Sequence, residues 1–372
     1  MNILINSYSL SIGGGQKILN DFLQYLQDII VKNKKMMIFV FVPNQLDYVK
    51  FENKQLKIFE LPFILKKKVM RPLVNNYFQK KIEELEIDKV FSMGNIALNT
   101  QKPQLLLFHW AYAVYPDKSI WSNMDTKSYL NRKIRLYLFQ KNLKYVNTVI
   151  AQTENIKQRL HQYYDIKNIV IIPNSVDMDS HLLDRRYAFN LPDGEKLLCL
   201  THYYTHKNLE IFIPLAQKIK EKKLDYKIII TIAKNQHPLS RKLLKDISKY
   251  KLEDVIHNIG PVKFDEVSSL YNQCDALLMP TLLESFGLTY IEAMFFKLPI
   301  LTSNRDFSRV LCKDMAFYFD PMDANNILHT IKKVFSGRGN LEEKVNKYES
   351  FLEGFPTSKE VAKRYIEEIV KL

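Results

Sequence analysis

The sequence predicts an α/β protein made of two doubly wound, Rossmann-like domains facing a central cleft. Three observations carry that expectation. Short apolar runs alternate with helix-length segments, and the alternation occurs twice along the chain. A polar stretch opening at Pro173 separates the two series. The chain has 372 residues and 47% hydrophobic content, enough for two ordinary domains with separate cores.

In the first series, strand-like runs fall at residues 3–6, 37–42, 57–61, 89–92, 105–108, 148–151 and 169–172. Helical runs lie between them, at 16–31, 72–85, 127–143 and 153–164. The strands are continuously apolar instead of alternating, the pattern of a parallel sheet covered on both faces. Pro173, Asn174, Ser175 and Asp177 then break the pattern, and polar sequence continues to Gly194. This segment reads as a structural hinge. The second series has strands at 196–201, 227–232, 255–259, 276–279, 300–302 and 316–319, with helices at 208–222, 239–250, 265–272, 287–296 and 324–335. The domains are expected at 1–175 and 176–355, with a separate helical segment at 356–372. Ligands of open α/β sheets bind at the carboxyl ends of the strands, so the loops there are the first place to look for a site.

Composition removes several classes of function. Cys199, Cys274 and Cys312 are far apart and make no metal-ligand spacing, which suits buried thiols in a reducing compartment. No apolar run approaches the roughly 20 residues needed to span a bilayer. The first eight residues read as a strand and not as a signal peptide. A cytoplasmic protein is expected. The net charge of +14 is uneven: residues 1–180 carry 25 Lys and Arg against 15 Asp and Glu, and the remainder 29 against 25. Lys66, Lys67, Lys68 and Arg71 interleave with Phe63, Ile64, Leu65, Val69 and Met70. Such a segment suits either an anionic membrane surface or a solvated face. No helix-turn-helix, RRM, KH or zinc pattern appears, so nucleic acid is not an expected partner.

The most informative stretch runs from Glu284 to Glu292, with Phe286, Gly287 and Leu288 between the two carboxylates. A strand-like run leads in through Pro280, and a helical run leads out. Glu284 therefore falls in a strand-end loop, Gly287 near a helix start and Glu292 inside that helix. Backbone N–H groups at a helix N-terminus attract anions, and carboxylates accept hydrogen bonds from sugar hydroxyls. This arrangement suits a nucleotide diphospho-sugar, with phosphates on the helix end and one Glu toward each end of the ligand.

The segment resembles the E-x7-E motif of the retaining GT-B glycosyltransferases, especially glycosyltransferase family 4. Flanking residues extend the likeness: Gly260 to Val262, Leu270, Tyr271, Cys274 to Ala276, Pro280, Glu292 to Met294, Leu298 to Ile300 and Phe319 to Pro321 follow the family's usual order. The resemblance implies a GT-B fold whose final helix, near 359–370, packs back on the first domain. It also implies a UDP-sugar or GDP-sugar donor and no bound cofactor. In the family, a Gly-Gly loop after the first strand borders the diphosphate, here Gly14 and Gly15. A strand-end His lies near the donor sugar, here His109. An Arg and a Lys five positions later hold the phosphates. Lys207 fits the Lys position, and His202 stands where Arg is usual. Lys297 replaces a usual Gly after the motif helix, and Ser175 a usual Gly in the hinge.

The implied reaction transfers a glycosyl group to a glycan or lipid-linked acceptor with retention at the anomeric carbon. Lys207, His202 and the Phe286–Gly287–Leu288 backbone would stabilise the leaving diphosphate, with Glu284 on the donor sugar and Glu292 on the ribose. No Asp-x-Asp motif sits in a matching loop, so the expected enzyme is metal-independent. Heavy Lys, Asn, Ile and Phe usage fits an AT-rich bacterial genome and cell-surface polysaccharide synthesis. The rival readings are another GT-B enzyme and a non-catalytic nucleotide-sugar-binding homologue. A nicotinamide oxidoreductase would need a spaced G-x-G-x-x-G, which Gly13, Gly14 and Gly15 do not make.

Overall fold

A computed structural model of the chain describes residues 1–11, 13–66, 71–122, 124–175, 187–337 and 340–372. Two compact units emerge: one from Met1–Val114, Asp125–Val176 and Pro356–Leu372, the other from Tyr115–Met124 and Asp177–Phe355. The first unit is thus not continuous in sequence. Residues 115–124 belong with the second unit, where the Tyr115 hydroxyl donates to the Asp306 carboxylate at 2.9 Å and its ring packs edge-on against Phe307. The Trp121 indole N–H closes the excursion on the Tyr115 carbonyl at 2.8 Å.

The first unit holds a parallel sheet of β1 (Asn2–Asn6), β2 (Met37–Val42), β3 (Leu56–Glu60), β4 (Lys89–Ser92), β5 (Gln104–Leu107), β6 (Thr148–Ala151) and β7 (Ile169–Ile171). Their order is β3-β2-β1-β4-β5-β6-β7. The helices that matter here are α1 (Gly13–Val31), α2 (Arg71–Glu84), α3 (Thr126–Asn142) and α4 (Glu154–Tyr164). Successive strand residues point to opposite faces, and both faces are covered. Ile3, Ile5, Ile38 and Val40 pack with Leu19, Phe22, Leu23 and Leu26 of α1. Leu4, Phe39 and Phe41 pack on the other face with Val74, Phe78 and Ile82 of α2. Each fully buried side chain of this kind contributes about 1.5–3 kcal/mol.

The second unit holds β8 (Glu195–Cys199), β9 (Tyr226–Ile230), β10 (Ile256–Asn258), β11 (Ala276–Met279), β12 (Ile300–Ser303) and β13 (Phe317–Phe319), in the order β10-β9-β8-β11-β12-β13 and all parallel. Its helices include α5 (Phe212–Glu221), α6 (Pro238–Lys249), α7 (Val267–Asn272), α8 (Leu288–Phe295), α9 (Asp306–Cys312) and α10 (Ala324–Phe335). The final helix, α11 (Ser358–Lys371), sets Val361, Ala362, Tyr365, Ile366 and Ile369 into the α1 side of the first unit's core.

In each sheet the winding reverses once, between β1 and β4 and between β8 and β11. The loops leaving those strands diverge there, which opens a crevice at the strand ends. Every candidate site residue falls in or just after a loop or helix start that follows β1, β5, β8 or β11. Asp177 and the remaining hinge positions at 176–186 lie outside the described residues, as do Lys67, Lys68, Val69 and Met70.

Candidate functional site

In the second unit, β8 and β11 are hydrogen-bonded neighbours, so their outgoing loops lie side by side. The loops are tied directly. Leu282 N–H donates to the His206 carbonyl at 2.7 Å, and the Thr281 hydroxyl donates to the same carbonyl at 3.2 Å. Asn208, in the left-handed conformation at φ 57°, donates through Nδ2 to the Pro280 and Pro321 carbonyls at 3.2 and 2.8 Å. Between these ties, Lys207 Nζ donates to Glu284 Oε1 at 2.5 Å. Both side chains are mostly buried, at 12% and 13% exposure, so little solvent screens the pair. Two predicted site residues, 77 positions apart, thus meet. The Cys199 thiol at the end of β8 is pushed up to about 12 by burial, which keeps it protonated and inert.

Gly287 caps the start of α8 at φ 93°, ψ 60°. Two facts require glycine there. Side chains rarely adopt that φ, and an added Cβ would stand 2.6 Å from Cδ2 of Tyr290. Tyr290 is fully buried and anchored through its hydroxyl to Thr302 Oγ1 at 2.7 Å. The helix start is therefore fixed from below by Tyr290 and from behind by Phe286, which is buried edge-on against Phe355. Gly287 and Leu288 are themselves partly exposed. Their peptide groups lie at the amino end of the α8 dipole.

Glu292 lies a turn into α8 and is half-buried. The Tyr271 hydroxyl from α7 donates to Glu292 Oε2 at 2.9 Å and lies 3.4 Å from the Thr289 carbonyl. Burial first, and the Glu292 carboxylate second, push the Tyr271 hydroxyl well above its ordinary range, so it remains a donor. The sequence reading counted Tyr271 only as part of the flanking pattern. Its orienting bond to Glu292 was not legible from a separation of 21 residues.

His202, at the position where the resembling family carries Arg, is exposed, and its Nδ1 lies 2.7 Å from Gln236 Nε2. Lys297 follows α8 at φ 54°, keeping the left-handed conformation that a glycine takes at a helix end. The sequence reading left the shape of this turn in doubt; the backbone retains it. Leu298 N–H bonds back to the Ala293 carbonyl and Lys297 N–H to the Met294 carbonyl.

In the first unit, Gly14 and Gly15 lie in the first turn of α1 itself. The resemblance had suggested a loop, whereas the glycines here form the start of a helix. A Cβ on Gly15 would approach Leu10 Cδ2 at 3.2 Å, so close packing is one reason for glycine there. His109 follows β5. Its ring meets Asn95, which lies in the loop after β4: Asn95 Nδ2 is 2.8 Å from His109 Nε2, and His109 N–H donates to Asn95 Oδ1 at 2.7 Å. Burial, and then the nearby Arg135 charge, push the His109 imidazole down to about 3. His109 is therefore neutral throughout the physiological range. Trp110 and Tyr112 are buried under the guanidinium groups of Arg135 and Arg132, at 4.7 and 4.5 Å from the ring centres. They are core aromatics.

The second unit is thus a parallel α/β layer whose reversal point carries a Lys–Glu pair, a glycine-capped helix start and a second, oriented carboxylate. Residues 185–350 match the family described as glycosyl transferases group 1. The match covers a little under half of the chain and lies wholly within the second unit. The chain is 24% identical over 212 residues to the O-antigen chain mannosyltransferase RfbU of Salmonella typhimurium, covering 56% of each protein. It is 23% identical over 304 residues to the alpha-monoglucosyldiacylglycerol synthase of Streptococcus pneumoniae, covering 75% of this chain and 66% of that protein. The chain thus spans about half to two thirds of the length of these curated relatives. Among solved structures, sucrose-phosphate synthase of Thermosynechococcus elongatus superposes with a TM-score of 0.76 at 15% identity, covering 100% of this chain and 98% of that one. HepE of Anabaena, in complex with UDP-glucose, superposes with a TM-score of 0.67 at 16% identity over 100% of both chains. WaaG, a glycosyltransferase involved in lipopolysaccharide biosynthesis, does so at 0.68 and 11% identity over 99% of both. These neighbours share with the chain the GT-B fold of two Rossmann-like units.

Proposed function

We propose that this protein is a glycosyltransferase that takes a sugar from a nucleotide diphospho-sugar and delivers it to a glycan or lipid-linked acceptor. The observation that carries this reading is the Lys207–Glu284 pair beside the glycine-capped start of α8. The diphosphate lies against the α8 amino end, where helix dipole and peptide N–H groups favour an anion. Lys207 supplies the positive charge for the leaving diphosphate, whose charge grows as the glycosyl bond breaks. Glu284, released from part of its ion pair when phosphate engages Lys207, accepts hydroxyl hydrogen bonds from the sugar. Glu292, held by Tyr271, accepts from the ribose. Gly14, Gly15 and His109 are further donor contacts on the strength of the family resemblance. The donor is a UDP-sugar or a GDP-sugar; the complex of HepE with UDP-glucose supports the former. The reaction proceeds with retention and without a metal, the leaving phosphate accepting the proton of the acceptor hydroxyl.

The acceptor side of the proposal includes an anionic membrane surface. Helix α3 contains five basic residues and no acidic one over Thr126–Asn142. Its outward stripe is apolar: Leu130, Ile134 and Tyr137 are 59%, 48% and 60% exposed, flanked by exposed Lys127, Lys133 and Lys141. An apolar stripe rimmed by lysines suits the headgroup boundary of anionic lipid. The experiment for the reaction is a panel of UDP-glucose, UDP-galactose, UDP-N-acetylglucosamine and GDP-mannose with free nucleotide as the readout. Release from at least one donor, lost in Glu284→Gln, supports the proposal. No release from any donor, together with no binding of UDP or GDP, overturns it.

A further inference from the structure

Two histidines in this protein, one in each unit, are held by a side-chain amide in the same way. Asn95 Oδ1 accepts the backbone N–H of His109 at 2.7 Å. A backbone N–H can only donate, so the oxygen of the amide must face it and the NH2 must face the ring. That NH2 lies 2.8 Å from His109 Nε2. Nε2 is therefore the acceptor, and the ring proton resides on Nδ1. Gln236 repeats the logic. Its Oε1 accepts Tyr203 N–H at 2.9 Å, which directs its NH2 at His202 Nδ1, 2.7 Å away. There Nδ1 is the acceptor, and the proton resides on Nε2.

We infer that Asn95 and Gln236 are positioning residues that select opposite tautomers of the neutral rings of His109 and His202. Two further observations bear on His109. Its Nδ1 is sealed from solvent and has no hydrogen-bond partner among the described residues. A buried N–H without an acceptor is costly, so it marks a place where a ligand oxygen would be favoured. Asn95 itself is buried and holds φ 65°, a left-handed conformation in which Asn and Asp are the common non-glycine residues. The orientation of the amide itself is set by the His109 N–H, which requires Oδ1 to face it.

For His202 the consequence is directional: with Nδ1 taken by the Gln236 NH2, the neutral ring presents its proton on Nε2, and turning the amide would abandon Tyr203 N–H. Toward the donor this rests on the proposed glycosyl transfer: His109 Nδ1–H is offered to a sugar oxygen. Neither acts as a general base.

The test is long-range 1H–15N NMR on full-length protein labelled at its eight histidines, assigned with His109→Gln and His202→Gln. At pH 7 the expected spectrum shows His109 with its proton on Nδ1 and His202 with its proton on Nε2. The reverse tautomer at either ring overturns the inference for that ring. Asn95→Asp keeps an acceptor for the backbone N–H and suits the left-handed backbone, but presents a second carboxylate oxygen to Nε2. The His109 proton should move to Nε2 in that variant; its remaining on Nδ1 overturns the positioning role. Asn95→Gly keeps the backbone shape, removes the amide and should give a tautomer mixture. These readouts require no substrate, so they stand or fall apart from the glycosyl-transfer reading. With UDP-glucose as probe, Asn95→Asp should lower kcat/KM by about 10- to 100-fold, the scale of one misdirected buried hydrogen bond. Unchanged turnover in a variant whose tautomer has moved would overturn the contact with the sugar.

Discussion

The strand-end loops of the two units solve different electrostatic problems. Those of the second unit gather charge: Lys207 against Glu284, Glu292 under Tyr271, and the amino end of α8. Those of the first unit gather neutral donors: His109, held uncharged, and the glycine-rich start of α1. Charge belongs where a leaving group becomes more negative, and neutral donors suit hydroxyls that stay neutral. On the proposed function, the diphosphate belongs with the charged loops of the second unit.

The comparison breaks first at the ion pair. Lys207→Ala and Glu284→Ala should each lower donor turnover by about 100- to 1,000-fold, the range for removing one stabilising group from a developing charge. Turnover within a few-fold of wild type in both variants would move the reacting centre elsewhere. Next comes Gly287→Ala. Left-handed strain and contact with the Tyr290 ring should together cost about 2–3 kcal/mol in urea unfolding. UDP binding, followed by thermal shift, should fall with it.

A smaller effect sharpens the other side. His109 has its pKa depressed on folding, from 6.5 to about 3. The unfolded chain thus binds the extra proton in that window, and the contribution of His109 to stability is lost as pH falls from 6.5 toward 3. His109→Gln should flatten this part of the acid limb in pH-dependent urea melts, and an unchanged slope would contradict the buried, neutral ring. The smallest effect is structural. Lys297→Gly should stabilise the protein by about 1 kcal/mol, because a side chain at positive φ is strained where glycine is not. A loss of stability would mean that the exposed lysine makes a contact of greater worth.

Much of the fold was legible because parallel strands covered on both faces have no polar alternation to hide them. The runs at 37–42 and 276–279 coincide with β2 and β11. The positions of Glu284, Gly287 and Glu292 were legible for a related reason: Pro280 and Gly287 punctuate strand, loop and helix within a dozen residues. Partnerships were not legible. Lys207 meets Glu284 only because the sheet order places β8 beside β11. Asn95 reaches His109 across neighbouring strands β4 and β5. The stripe on α3 was misleading in kind. Leu130, Ile134 and Tyr137 have the spacing of an inward face, yet they point out, while Arg132 and Arg135 lie inward on aromatic rings. Residues 115–124 carry no punctuation that would assign them to the second unit.

The most direct measurement is calorimetric titration of UDP, GDP and ADP against their parent nucleosides, on wild-type protein and on Lys207→Ala. At least one diphosphate should bind 10-fold or more tighter than its nucleoside, as a charge-assisted contact worth about 1.5–3 kcal/mol requires, and this advantage should collapse in Lys207→Ala. Equal affinity of diphosphate and nucleoside, or an advantage that survives loss of the Lys207 amine, would contradict it.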